Sequence, residues 1–452
     1  MITPRIEINL EKLAHNTKAL IELYGSKGIH ITAVTKVVRG NPDIARTLVK
    51  SGIDTLADSR IENIKRMHNA GVQAQFLLTR TPALSQAKAV VKYADISLNT
   101  EISVIERLST FAVEYDKPHK IILMVELGDL REGFMPSDLD GIVKQVLDME
   151  GIILAGIGSN LTCFGGVQPD DENLGILSSL ATDLENKFNI KLEYISGGNS
   201  GSYNWFMSTQ DVGRINHLRV GESIYLGCET LSRKPIPGLH SDAMILVSEV
   251  IESKIKPSLP YGTIAQDAFG NIPKFVDQGL MSRAILSLGL QDVQVSGLTP
   301  RSDVEILGAS SDHIIVNAKK ENLRVGDELE FDLNYAALLS AMSSRYVNKV
   351  SSARVNAHEY CERVERKYRR HLHLMPNITI KDDHTPLLNL NESGFNLMFE
   401  PSIQKDYQFM VRSSVYDKIG RISKRLDMED KTLWLRSAWR SFDHQRRLWE
   451  ER

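Results

Sequence analysis

The sequence predicts an α/β chain: a (β/α)8 barrel, then a mainly β domain, then an α+β segment at the C-terminal end that reads as truncated. Three observations carry this. Before residue 225, eight short apolar runs alternate with amphipathic helical patterns, and strands alternating with helices imply βα units around a parallel sheet. Past residue 235 helical periodicity gives way to strands and turns. Near residue 352 the composition breaks. The expected domains are therefore 1–235, 236–352 and 353–452.

The eight runs are IHITAVTK (29–36), DTLAD (54–58), QAQFLLTR (73–80), ADISLN (94–99), KIILMVEL (120–127), IILAGIGS (152–159), LEYISGG (192–198) and INHLRVGESIYLG (215–227). Between them lie NPDIARTLVKSG, RIENIKRMHNAG, EISVIERLSTFAVEY, SDLDGIVKQVLDMEG and ILSSLATDLENKF. The first of these helices opens on Asn41-Pro42, a cap and first-turn pair, and ends near Gly52. Eight runs point to a closed barrel rather than an open sheet. DAMILVSEVIESKIKPSL, RAILSLGLQDVQVSG, SDVEILGASSDHIIVNA and LRVGDELEFDLNY then read as strands joined by Gly, Pro and Asp turns. HEYCERVERKYRRHLHL is a charged amphipathic segment suited to linking domains.

The last hundred residues carry 19 Lys and Arg against 15 Asp and Glu, on a chain with 54 against 57 overall. Three of the four tryptophans, Trp434, Trp439 and Trp449, also fall there. Neither part is basic enough for a nucleic-acid partner. The three cysteines, Cys163, Cys228 and Cys361, are far apart and odd in number, which favours a reducing compartment over a disulfide framework. No apolar run suits a signal peptide or a membrane span, so a cytoplasmic protein is expected.

Barrel enzymes work at the C-terminal ends of their strands, with phosphate sites commonly after strands seven and eight. The first strand ends TAVTK, which puts Lys36 at the mouth, where loss of solvent makes an amine a Schiff-base nucleophile. A lone lysine there is more often a snorkelling strand end. The seventh run leads into SGGNSGS (196–202), whose backbone N–H groups can wrap an anion. The eighth brings Arg219 and Gly221 to the same end. Together these imply a phosphate-bearing aldehyde cofactor.

Residues 1 to about 350 resemble the alanine racemase-like, fold-type III pyridoxal-phosphate (PLP) enzymes, and among them the ornithine racemase branch. The resemblance rests on LEKLAHN, AVTKV, DSRIENIKRM, MVELGDLREGF, SGGNSGS, NHLRVGESIYLG and IAQDAFGN. It implies that Lys36 holds PLP and serves as one of two acid/base groups. Ser200, Gly201, Gly221 and Glu222 would hold the phosphate, the last two through backbone N–H. Arg219 would face the pyridine nitrogen, and a guanidinium does not readily give up a proton, so the electron sink is weakened and reprotonation at Cα is favoured. Arg131 matches the family arginine beside the substrate carboxylate.

The usual second base, a tyrosine from the partner subunit's β domain, is replaced by Leu290 in SLGLQDV, with Asp292 keeping the adjoining aspartate. Asn160 stands where the family has the histidine supporting that tyrosine. Cys163, Asp292 and Asp267 are the candidates for the second base, with Cys163 placed first. A thiol needs cationic neighbours for that task. Ornithine, alanine, serine and lysine are all open as substrates, and Asp129, Asp267 and Asp292 are the acids available for a cationic side chain. The fold implies a homodimer acting on a small amino acid.

VYDKIGRISKRL…TLWLRSAWRSFDHQRRLWEE reads as helix, strand and helix, and resembles the start of the D-Ala-D-Ala dipeptidase and carboxypeptidase zinc peptidases. That resemblance implies that Arg440 would lie by the scissile carbonyl, with Gln445 on the following helix. The family's zinc ligands lie beyond this arginine, so no metal and no peptidase activity are expected, and the segment is expected to be either a truncated peptidase domain, part of something longer, or a degraded remnant. Three rivals remain: a non-catalytic PLP-binding homeostasis protein, which would lack the β domain; a fold-type III decarboxylase, which would carry an acid in place of Arg219; and a PLP-free aldolase, which would leave the glycine loops unexplained.

Overall fold

A computed structural model describes residues 2–351, except 267–268, 271 and 273–274, and beyond them four short strands. The chain divides into two compact units, Met1–Cys361 and Glu362–Arg452.

The first unit opens with β1 (Arg5–Ile8) and α1 (Leu10–Gly25), whose cap Asn9 accepts from the Lys12 N–H at 3.0 Å. Eight parallel strands then close a barrel: β2 (His30–Val34), β3 (Thr55–Asp58), β4 (Gln75–Leu78), β5 (Ile96–Asn99), β6 (His119–Val125), β7 (Ile152–Ser159), β8 (Tyr194–Asn199) and β9 (His217–Val220). Each lies within one of the eight runs, except that β6 begins and β8 ends one residue outside theirs. Pairing of His30 with His217 and of Ala33 with Val220 closes the ring. Between the strands run α2 (Pro42–Lys50), α3 (Ile61–Asn69), α4 (Ala87–Tyr93), α5 (Ile102–Glu114), α6 (Leu139–Leu147), α7 (Asp171–Phe188), α8 (Tyr203–Ser208) and, after β9, α9 (Glu222–Leu226). The expected start of α2 is present: Asn41 Oδ1 accepts from the Asp43 and Ile44 N–H groups, with Pro42 in the first turn.

The helices pack apolar faces on the outside of the strands, while Val34, Ala57, Leu77, Ile96, Leu98, Ile122 and Met124 fill the inside. Polar pairs are also buried there. Ser97 Oγ bonds His119 Nε2 at 2.9 Å, and the His217 ring sits between Thr32 Oγ1 (2.8 Å) and Ser196 Oγ (2.7 Å). Burial pushes both imidazoles down to about 3, helped at His217 by Arg219 and His30 and at His119 by Lys117.

The β domain follows as β10 (Met244–Pro257), β11 (Leu280–Leu286), β12 (Leu298–Pro300), β13 (Glu305–Ala309), β14 (Ile314–Asn317), β15 (Glu328–Leu333) and β16 (Asn348–Ser351). The sheet order is β12-β15-β10-β11-β14-β13. β1 belongs to this sheet, antiparallel to β10 and parallel to β16. A helix the strand-rich pattern concealed, α10 (Tyr335–Ser343), is capped by Asn334, whose Oδ1 accepts from Ala337 N–H at 2.9 Å.

In the second unit the strand Leu387–Asn389 pairs antiparallel with Met410–Arg412, and Leu397–Phe399 pairs parallel with Leu433–Leu435. The linker segment 358–374, Arg440 and Gln445 lie outside the described residues.

Candidate active site

A cavity of about 690 Å³ opens at the C-terminal ends of the barrel strands. Lys36, Arg131, Cys163, Ser200, Arg219, Gly221 and Glu222 all line it. Each is fixed by the strand it follows or ends.

Lys36 begins a single 3-10 turn just beyond β2. Its side chain is open to the cavity but ringed by protein, and this loss of solvent lowers its pKa. Cys163 and Asp58 oppose the shift, while Arg131 and Arg219 add to it. Its Nζ lies 5.7 Å from the ring centroid of Tyr335, the first residue of α10, within cation–π range. Beneath it Asp58 is fully buried and accepts from Thr35 Oγ1 (2.8 Å), Asn63 Nδ2 (3.0 Å) and the Arg60 N–H (2.9 Å).

On the facing wall Arg219 is buried. It donates to Ser196 Oγ, to Ser159 O at 2.6 Å and to Asn160 Oδ1 at 2.7 Å. Burial pulls this guanidinium down to about 10, which leaves it protonated at neutral pH. Its hydrogen-bond partners are all neutral, so no bonded carboxylate cancels its charge.

The glycine loops meet between these two residues. The Gly221 and Ser223 N–H groups converge on Ser200 Oγ at 3.1 and 3.4 Å, and Gly201 N–H donates to Asn199 Oδ1 at 2.8 Å. A Cβ on Gly221 would stand 3.2 Å from Val34 Cβ, and one on Gly201 only 2.6 Å from Thr162 Oγ1. An added side chain at either glycine would displace its neighbours, and the loops gather backbone donors, held here by Ser200 Oγ and Asn199 Oδ1, of the kind that hold a phosphate.

The loop after β6 carries Arg131 and Glu132. Its ends are pinned by Phe134 N–H to Met124 O (2.8 Å) and Glu126 N–H to Phe134 O (2.9 Å). Glu126 Oε1 accepts from the Gly128 and Leu130 N–H groups at 2.7 and 3.0 Å. Asp129 is buried and accepts from the Cys163 and Phe164 N–H groups, which ties this loop to the one after β7. Asp129 thus has a structural task. Asn199 Nδ2 approaches Cys163 Sγ at 3.5 Å.

Asp292 is placed elsewhere in the subunit. It is buried in the β domain, accepting from Gly289 N–H (3.3 Å) and Ser344 Oγ (3.0 Å). Leu290 beside it is 40% exposed. Asp267 lies outside the described residues. Glu132 and Tyr335 are among the lining residues not singled out from sequence. The first has a signal in its place beside Arg131, the second in an Asn-Tyr pair opening a helical pattern.

Known proteins agree with this architecture. Residues 8–229 match the alanine racemase N-terminal domain. An ornithine racemase of Acetoanaerobium sticklandii is 41% identical over 350 residues, 76% of this chain and 99% of that protein. A lysine racemase of Thermotoga maritima is 38% identical over 352 residues, 77% of this chain and 99% of that protein. Among solved structures, an alanine racemase from Bartonella henselae with covalently bound pyridoxal phosphate superposes with a TM-score of 0.59 at 17% identity, covering 78% of this chain and all of that one. The chain belongs to the alanine racemase family.

Proposed function

We propose that the chain is a PLP-dependent amino-acid racemase that interconverts the L and D forms of a basic amino acid, ornithine or lysine. The observation that carries this is Arg219: a buried guanidinium with neutral hydrogen-bond partners, lining the same cavity as a desolvated lysine and a glycine-built anion cradle. The named activities of the two full-length relatives supply the substrate class.

The residues fit the cofactor. Ser200 and the backbone N–H groups around Gly201, Gly221 and Glu222 suit its phosphate, Lys36 Nζ its aldehyde carbon, and Arg219 its ring nitrogen. Bound there, PLP supplies the electron sink that acidifies the Cα–H of an amino acid. Arg219 offers the ring nitrogen a hydrogen bond without surrendering its proton, which restrains that sink and disfavours decarboxylation. Arg131 holds the substrate α-carboxylate. Lys36 exchanges a proton at Cα on one face. Cys163 is the group best placed to serve the other face, since it lines the cavity while Asp292 of the same subunit does not.

The functional parts are 1–235 and 236–352, with 353–452 a separate peptidase-like segment. The active species is a homodimer, and the setting is cytoplasmic. Unpaired Cys163 and Cys228 support a reducing compartment. Among the described residues no helix is long and apolar enough to cross a membrane.

Purified protein should be yellow, and Lys36→Ala should abolish the visible band. Incubation with L-ornithine or L-lysine followed by chiral chromatography should show the D form accumulating. A colourless protein that PLP does not reconstitute would end this reading. Near-normal racemisation by Cys163→Ala would remove that thiol from the mechanism.

A further inference from the structure

The two arginines of the site are joined by a carboxylate to which no role has been assigned. Glu132 accepts from Arg131 through both Nε and Nη2. Its Oε1 also accepts from Asn160 Nδ2, and Asn160 Oδ1 in turn accepts from Arg219 Nη2 at 2.7 Å. Arg131, Glu132, Asn160 and Arg219 therefore form one unbroken chain of hydrogen bonds across the cavity wall.

The electrostatics require such a link. Lys36, Arg131 and Arg219 bring three cationic groups to one cavity, and Arg131 disfavours the charged form of each of the other two. Among the described lining residues the acids are Glu132 and Glu222, and Glu222 is ion-paired with Arg233. Glu132 is thus the lining carboxylate left to offset this charge, while Asp58 acts on Lys36 and Asp129 on Arg131 from outside the lining. The support beneath it is stiff. Gly133 has φ +156°, and a Cβ there would lie 2.4 Å from Glu126 N and 2.7 Å from Val125 C, so the loop is held against β6.

We propose that Glu132 is a positioning residue that orients Arg131 toward the substrate carboxylate and, through Asn160, holds Arg219 in place for the ring nitrogen of the cofactor. Arg131 spends Nε and Nη2 on Glu132 and keeps Nη1 for the substrate. Asn160 reads as a relay: its amide N–H₂ faces Glu132 and its carbonyl faces Arg219, so the two arginines move only together. The proposal rests on the racemase reading, because the two arginines have their tasks only within it.

The two arms of the chain separate in experiment. Apoprotein is titrated with PLP by quenching of protein fluorescence, and the loaded enzyme is assayed with L-ornithine and L-lysine. Glu132→Gln is isosteric, but its uncharged amide has one acceptor oxygen fewer, so the Arg131 Nε bond is lost and the bonds of the remaining oxygen to Arg131 and Asn160 lose their charge assistance. It should lower kcat/KM about 10- to 100-fold, with a raised KM, as expected for loss of charge-assisted hydrogen bonds. It should also weaken PLP binding severalfold. Asn160→Ala cuts only the Arg219 arm, so it should weaken PLP binding to the same extent while KM stays within about twofold. The double variant should bind PLP no more weakly than either single one, because both act through one chain.

If the parent protein binds PLP and racemises while both variants keep KM and PLP affinity within about twofold of it, the proposal is overturned and the racemase reading stands. A parent that binds no PLP overturns both. A loss of kcat beyond a thousandfold in Glu132→Gln, with KM and PLP affinity unchanged, also overturns positioning and assigns Glu132 to proton transfer. Should Glu132→Gln fail to fold by circular dichroism, unchanged PLP affinity in Asn160→Ala is by itself sufficient to reject the proposal.

Discussion

Lys36 shows how one side chain acquires reactivity from its surroundings. Burial lowers its pKa first. Arg131 and Arg219 then push the same way, and Cys163 and Asp58 push back. The neutral amine is therefore available at lower pH than on an exposed lysine, and the signs can be tested separately. Asp58→Asn removes a stabilising negative charge and should lower the apparent pKa of Lys36. Arg131→Gln removes a repelling positive charge and should raise it. The pH dependence of pyridoxal addition to Lys36 in apoprotein measures both, and shifts in the same direction would refute this account. Lys36, Ser200, Arg219 and Gly221 were legible because the end of a barrel strand is a defined place and the strands announce themselves as apolar runs. Glu132 was not, since an acid beside an arginine on a loop has the profile of a solvated surface. Its meaning lies in Asn160, 28 residues away in sequence and hydrogen-bonded in space.

Among the elements, the eight strands were readable because parallel strands buried on both faces are near-continuous apolar runs. α10 escaped because the short pattern YAALLSAMS follows directly on a strand, and β1 because RIEI is a four-residue strand lying ahead of the eight runs. Tyr335 was lost with α10, although its ring centroid lies 5.7 Å from Lys36 Nζ. Loops were the least legible, because their geometry is set by contacts rather than periodicity. Gly133→Ala tests one of them. Its Cβ would strike backbone that cannot yield, so a stability loss of about 1–3 kcal/mol is expected, with a raised KM as Arg131 and Glu132 are displaced. Gly141→Ala is the contrast. It sits in α6 with nothing within 4 Å of an added Cβ, so it should stabilise by about 0.5–1 kcal/mol. Urea midpoints of the two variants decide this, and a destabilised Gly141→Ala would count against the helix.

For the whole first unit, acid tolerance should be limited from within the barrel. His119 and His217 are buried, and each is pushed from an ordinary 6.5 to about 3. Below about pH 6.5 the unfolded chain takes up protons that the folded chain refuses, so stability should fall as pH drops toward 3. The slope at its steepest is about 1.4 kcal/mol per pH unit for each histidine. Urea midpoints measured across this range should decline, and His119→Gln should flatten the decline. A pH-independent midpoint would mean that these rings take up protons as readily in the folded protein as in the unfolded chain.

The pairing of β1 with both β10 and β16 also bears on how the molecule is made. During synthesis residues 5–8 leave the ribosome first, but one of their partners, 348–351, is among the last parts of the unit to emerge. The barrel strands can close while β1 still waits. Long-range pairing of this kind is slow to form, and Tyr335, whose ring centroid lies 5.7 Å from Lys36 Nζ, arrives in the same late stretch. Lys36 therefore meets Tyr335 only after the β domain has been made, so the finished surroundings of that lysine depend on a second domain as well as on the barrel.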